Sequence, residues 1–186
     1  MPLPHPSPRK TSHTRALTLQ GYERDDGLWD IEGHIVDSKP HAFKVGGCAR
    51  APNEPIHEMW VRLTIDTDFT IHDVAASSDA MPYAGLCDST LPDYRKLIGL
   101  NLARGFRRAA LEAMGGTKGC THVTEMLTHL PSAAYQTMST LPKMYDATKK
   151  NLNLAAGRCV ALKPDGEMVR LYFPQSYTGS NKTGAK

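Results

Sequence analysis

His57-Glu58-Met59-Trp60-Val61-Arg62-Leu63-Thr64-Ile65-Asp66 alternates apolar and polar side chains and sets Met59, Val61, Leu63 and Ile65 on one face of an extended strand. A two-residue turn and Phe69 to Ala76 complete a hairpin. Working toward the N-terminus, Lys39 to Pro55 reads as a loop, with three prolines and the Gly46-Gly47 pair. Before it, Ala16–Gly21 and Leu28–Asp37 alternate around the turn-forming Arg24-Asp25-Asp26-Gly27, which predicts another hairpin. Beyond Pro82 the spacing becomes helical, through Leu91, Tyr94, Leu97 and Ile98 and then Phe106, Ala109, Ala110, Ala113 and Met114, until Gly115-Gly116 ends it. Thr121 is positioned to cap a further helix carrying Val123, Met126, Leu127 and Leu130, interrupted at Pro131 and resumed to about Thr140. Arg158 to Phe173, broken by Pro164-Asp165-Gly166, reads as a terminal hairpin. The fold class is α+β: an antiparallel sheet of hairpins with helices packed on one face.

A chain of 186 residues with 40% apolar content is long enough for one domain with its own core. The single domain is expected over residues 16–178, between disordered tails at 1–15, with four prolines, and 179–186, rich in Gly, Ser and Lys. No stretch is apolar enough to span a membrane and no signal-peptide core precedes the body, so a cytoplasmic location without membrane association is expected. The net charge of +3 comes from tail residues: without Arg9, Lys10, Arg15, Lys182 and Lys186 the body has 17 basic against 19 acidic residues, a net −2. That balance argues against a nucleic-acid partner, which calls for a clustered basic face. Cys48, Cys87, Cys120 and Cys159 are dispersed without a C-x-x-C pair and read as reduced thiols.

Gly115-Gly116-Thr117-Lys118-Gly119-Cys120-Thr121-His122-Val123-Thr124-Glu125 is the stretch richest in chemistry. A cysteine at the mouth of a helix lies against unpaired N–H groups and the positive end of the dipole, surroundings that suit a nucleophilic thiol or a metal ligand. His122 and Glu125, three apart, share a helical face, so Cys120, His122 and Glu125 can form a nucleophile with its base or half of a metal site. The plainer alternative makes Cys120 a small buried hydrophobe and Glu125 a first-turn carboxylate. If the second hairpin packs beside this helix, His57 and Cys87 join Cys120 and His122 in a two-sulfur, two-nitrogen site suited to zinc or iron. Against it stands a surface His57 with a core Cys87. On the strand Trp29 to His34, Asp30, Glu32 and His34 share one face, and Lys39 and Tyr83 are further polar candidates nearby; such a row binds a divalent metal, supplies an acid and a base, or simply faces water. Cys48, Cys159, His5, His13, His41, His72 and His129 stand apart from these groups.

Arg24-Asp25-Asp26-Gly27-Leu28-Trp29-Asp30-Ile31-Glu32-Gly33, Asp37-Ser38-Lys39-Pro40, Glu54-Pro55-Ile56-His57-Glu58-Met59-Trp60-Val61-Arg62-Leu63-Thr64-Ile65-Asp66 and Gly119-Cys120-Thr121-His122 together resemble the family known as domain of unknown function 2889, in the family's order from about Gly21 to Thr140. The resemblance implies a bacterial cytosolic protein, often of organisms that degrade aromatic or steroid compounds, and implies no shared activity. A looser similarity is to iron–sulfur scaffold proteins, whose ligand before a strand pair, Gly-Cys junction and later Cys/His pair correspond to His57, Cys87 and Cys120 with His122; the scaffold's first Cys and aspartate motif are absent here, and Cys and His come in the opposite order. The expectation from these readings is a zinc- or iron-binding hydrolase or lyase acting on a small organic acid or thioester in such catabolism. The alternatives are a non-catalytic accessory protein of a catabolic enzyme and a cofactor-free enzyme using Asp30, Glu32 and Lys39. A homo-oligomer is compatible with the sequence, which does not specify it.

Overall fold

The computed structural model describes residues 3–141 and 156–179. Its chain contacts divide into two compact units, residues 1–137 and 138–186. The first is built on a four-stranded antiparallel sheet of β1 (Thr14–Glu23), β2 (Trp29–Ser38), β5 (Pro55–Ile65) and β6 (Ile71–Ala80), in the order β1-β2-β5-β6. A separate two-stranded ribbon pairs β3 (Phe43–Val45) with β4 (Cys48–Arg50). The sequence pattern did not anticipate this ribbon, because three-residue strands are too short to show a period. The turn that makes it is nonetheless written in Gly46-Gly47, both at positive φ, as a tight hairpin turn requires.

The β1–β2 turn closes through Arg24, whose N–H donates to the Leu28 carbonyl, while Gly27 sits at φ 80°. In the β5–β6 connection the Asp66 carboxylate accepts from the backbone N–H groups of Asp68 and Thr70, at 2.8 and 3.0 Å, and replaces a longer loop. Strand β2 alternates without a fault: Trp29, Ile31, Gly33, Ile35 and Asp37 are buried, and the residues between them are half-buried. Opposite them β5 buries Met59, Val61, Leu63 and Ile65, the face expected from the sequence.

Helix α2 (Thr121–Leu127) lies across β2 and β5 on that face and contributes Val123, Met126 and Leu127 to the core. Gly33 allows the approach: a Cβ there would lie 2.8 Å from Met126 Cγ and Sδ. Helix α1 (Phe106–Met114) packs against α2 and buries Phe106, Ala110 and Met114. The segment Leu91–Leu97, read as an α-helix start, is a 3-10 helix whose Tyr94 and Leu97 are buried; it packs on β6 and α1. Burial of each of these large apolar side chains stabilises the fold by about 1.5–3 kcal/mol.

Some boundaries differ from expectation. Cys120, not Thr121, occupies the N-cap of α2, where it has extended φ and ψ and makes no side-chain cap bond. Helix α2 ends at Leu127, short of Pro131, which falls in the first turn of α3 (Leu130–Met138), where its missing N–H costs nothing. Thr14 and Arg15, read as the end of a tail, begin β1. In the second unit, the terminal hairpin expected over Arg158 to Phe173 is helical instead: a 3-10 turn at Val160–Leu162 and α4 at Glu167–Tyr172. Pro164-Asp165-Gly166 leads into a helix rather than across a ribbon, with Gly166 as N-cap, Glu167 in the first turn and Val169 as the buried residue. From residue 180 onward the expected C-terminal tail lies outside the described residues.

Candidate metal centre

At the end of the sheet where β1 begins and β2 ends, three residues stand in one cross-strand row, Arg15 opposite Asp37 and Asp37 opposite His57. All three occupy the helix-facing register, so the core-side alternation of β2 ends on a carboxylate. Asp37 is 2% exposed, and a buried carboxylate requires partners. Arg15 supplies two, with Nε donating to Oδ1 and Nη2 to Oδ2, both at 2.8 Å in the forked geometry that suits a carboxylate. His13 Nε2 lies 3.0 Å from Oδ1 and His57 Nδ1 lies 3.1 Å from Oδ2.

The first turn of α2 closes the site from above. His122 Nε2 is 3.6 Å from Asp37 Oδ2, and its ring stacks on His57 with centroids 3.8 Å apart. Cys120 Sγ lies 3.9 Å from His122 Nδ1 and 3.6 Å from Met59 Sδ. Glu125, grouped with Cys120 and His122 from the sequence, accepts from Arg15 Nη1 at 2.7 Å and so ties α2 to β1. The helix start is itself held in place: the Tyr94 hydroxyl donates to the Cys120 carbonyl at 2.9 Å, and Thr124 Oγ1 donates to the Met114 carbonyl at 3.1 Å. Gly119 leaves room for this arrangement, since a Cβ there would lie 2.9 Å from the Tyr94 oxygen.

Burial works to raise the pKa of Asp37, but the Arg15 fork, His13 and His57 outweigh it and hold the carboxyl at about 2. Burial pushes His57 below the ordinary histidine value of 6.5 against the attraction of Asp37. His122 is lowered too, first by burial and then by His57 and Arg15. At neutral pH the site therefore presents one carboxylate and two neutral imidazoles. Tyr94 is pushed up to about 12, chiefly by burial, and stays a hydrogen-bond donor.

One oxygen of Asp37 and one ring nitrogen each of His57 and His122 lie within 4.8 Å of one another, a set that can hold a metal ion. Among the described residues this is the one group of three His, Cys, Asp or Glu side chains so placed. Of the two-sulfur, two-nitrogen set expected from the sequence, His57 and His122 are in this group, and Cys120 is their neighbour. Cys87 lies in the loop after β6, where its N–H donates to the Tyr83 carbonyl, and it does not belong to the group. Asp37 takes the place of the sulfurs.

The row Asp30, Glu32, His34 lies on the opposite face of β2, where each residue has a separate partner. Asp30 accepts from Thr64 Oγ1 at 2.6 Å, Glu32 is 3.8 Å from Arg62, and His34 stacks on Trp60 and lies 3.1 Å from Glu58. The Lys39 ammonium sits 6.0 Å from the Phe43 ring centroid, and the Tyr83 ring is largely exposed. His13, which the sequence left without company, is part of the Asp37 cluster, and His72 lies 2.8 Å from Asp66. Asp37 itself was missed as a site residue, although a signal existed: it is in phase with Trp29, Ile31 and Ile35, at a position where an apolar side chain is the norm. Arg15 and His13 carried no such signal, because their partners are more than twenty residues away.

No curated protein and no solved structure matches the chain significantly, so the looser likeness to iron–sulfur scaffold proteins gains no support. No described helix is long and apolar enough to cross a membrane. A family profile matches residues 13–136, two-thirds of the chain, from the first histidine of the Asp37 cluster to α3. By that match the chain belongs to the family described as protein of unknown function (DUF2889).

Proposed function

We propose that Asp37, His57 and His122 bind a divalent transition metal, zinc or iron, and that the protein is a hydrolase or lyase acting on a small organic acid or thioester. The observation that carries this reading is the approach of three donor atoms to within 4.8 Å of one another, from two strands and one helix. Two imidazoles and a carboxylate are the donors of catalytic zinc sites and of non-haem iron sites that keep coordination positions open for water or substrate. Bound there, the metal would polarise a carbonyl or lower the pKa of a water. Among the chain's own residues, Arg15 at the rim neutralises Asp37 and orients it. Cys120 and His122, at the start of α2, would stand beside the reacting group.

The test is elemental analysis of protein purified without an affinity tag and without air, beside the His57→Gln/His122→Gln double variant. Stoichiometric zinc or iron that disappears in the variant is the expected result. A metal-free wild type, or a variant that keeps the metal, would remove the reading. A non-catalytic accessory role is favoured by one observation: the rim residues His13 and Glu125 are 42% and 50% exposed, which leaves a bound ion open to exchange. Turnover of a panel of simple thioesters by the metal-loaded protein, lost in the double variant, separates the enzyme from the accessory protein.

A further inference from the structure

The sheet has two edges, and they are treated differently. β6 is blocked: its start exchanges backbone hydrogen bonds with the segment after the Leu91–Leu97 helix, Ile71 N–H to the Leu100 carbonyl at 2.9 Å and Gly99 N–H to the Ile71 carbonyl at 2.8 Å. Its pairing with β5 also slips at Glu58/Met59 and at Thr64/Ile65, and it carries Asp73 and Asp79. Register slips, covering segments and charges are the devices that keep an edge from pairing.

β1 has neither a register slip nor a covering strand among the described residues, and its charges, Arg15 and Glu23, lie only toward its two ends. Its ten residues pair with β2 in one unbroken register and include no proline or lysine. Every residue of the strand except Leu19 is exposed, and among the described residues no strand lies on its outer side. A long, regular and open edge is a template for another strand.

We propose that the partner of this edge is β1 of a second copy, paired antiparallel about a two-fold axis at Leu19 to make a continuous eight-stranded sheet. The charges flanking the strand select this partner and this register, since the Arg15 guanidinium is already held by Asp37 and Glu125. With Leu19 opposite Leu19, Arg15 falls opposite Glu23 of the other copy, Leu17 opposite Gly21 and Thr18 opposite Gln20, each pair occurring twice. The segment before β1, with exposed Arg9 and Lys10, then runs toward the other copy's Glu23-Arg24-Asp25-Asp26 turn, which carries a net −2 and lines an open concavity. The two ends of one edge are thus complementary in charge when the edge meets itself head to tail. This inference is independent of the metal reading.

Sedimentation velocity on the full-length protein over a range of concentrations tests it. Wild type is expected to show a concentration-dependent monomer–dimer equilibrium. Thr18→Lys/Gln20→Lys sets like charges directly opposite each other twice across the axis and is expected to weaken the dimer about tenfold or more. Within one copy, the substitution at Gln20 faces Glu32 and leaves the fold intact, as an unchanged circular dichroism spectrum would verify. Thr18→Glu/Gln20→Lys makes the same cross-axis pairs attractive while keeping a lysine opposite Glu32, and is expected to restore the dimer. A wild type that stays monomeric, a folded double-lysine variant that still dimerises, or failure of the charge-swapped variant to recover the dimer would each overturn the proposal.

Discussion

Asp37 occupies a strand position whose neighbours in phase are Trp29, Ile31 and Ile35, and its carboxylate is stable there only because Arg15, His13 and His57 surround it. The two half-buried histidines give the cluster a pH dependence of definite sign. In the unfolded chain they take up protons near pH 6.5; in the folded chain burial resists this, with Arg15 adding to the resistance and Asp37 and, for His122, Glu125 opposing it. Their contribution to stability is therefore complete above pH 6.5 and is lost as pH falls through their lowered folded values. Asp37 adds a second loss between its ordinary 3.8 and about 2. Urea titrations are expected to show stability falling from pH 6.5 downward, and His57→Gln/His122→Gln should flatten that slope. On the proposed metal reading, neutral imidazoles are the binding form, so metal should be retained at pH 6.5 and released below it, as equilibrium dialysis would show.

Helix α2 brings the site together, and its seat is set by Gly33 on the strand beneath. Met126 Cγ and Sδ would lie 2.8 Å from a Cβ at that position and Leu130 Cδ2 3.4 Å from it. The Met126 side chain can move aside for one methyl group but not for a branched side chain with Leu130 close behind it. Gly33→Ala should therefore be mild, whereas Gly33→Val is expected to cost about 1–3 kcal/mol and to lift α2 from the sheet. Thermal unfolding of both variants measures the first effect. The second would appear in the Gly33→Val variant as weaker metal binding on the proposed reading, because His122 rides on that helix while Asp37 and His57 remain on the strands.

The first unit is tied at one corner by the chain that enters it. His13 and Arg15 reach Asp37, and Arg15 also reaches Glu125, so β1, β2 and α2 meet through four side chains. Deleting residues 1–11 is expected to leave stability unchanged. Deleting residues 1–16 leaves a buried carboxylate without its cation and should cost about 3 kcal/mol or more in urea unfolding. The hairpins, the turn residues and the buried face of β5 were legible in the sequence, because period and turn chemistry are local properties that a strand carries whatever it packs against. The helix beginning at Cys120 was legible for the same reason, and so were His57 and His122 as ligand candidates. The helical end at 167–172 was misread because a short apolar run around Pro-Asp-Gly suits a ribbon and a helix start equally well. The sequence by itself determined the α+β class, the helix-covered face of the sheet and two of the three residues of the candidate metal group. Only the tertiary structure decided that Asp37, and not Cys87, joins them, and that Arg15 neutralises it. The reason is physical: a contact between residues twenty to a hundred positions apart depends on strand register and on the seat of a helix, and no local pattern records either one.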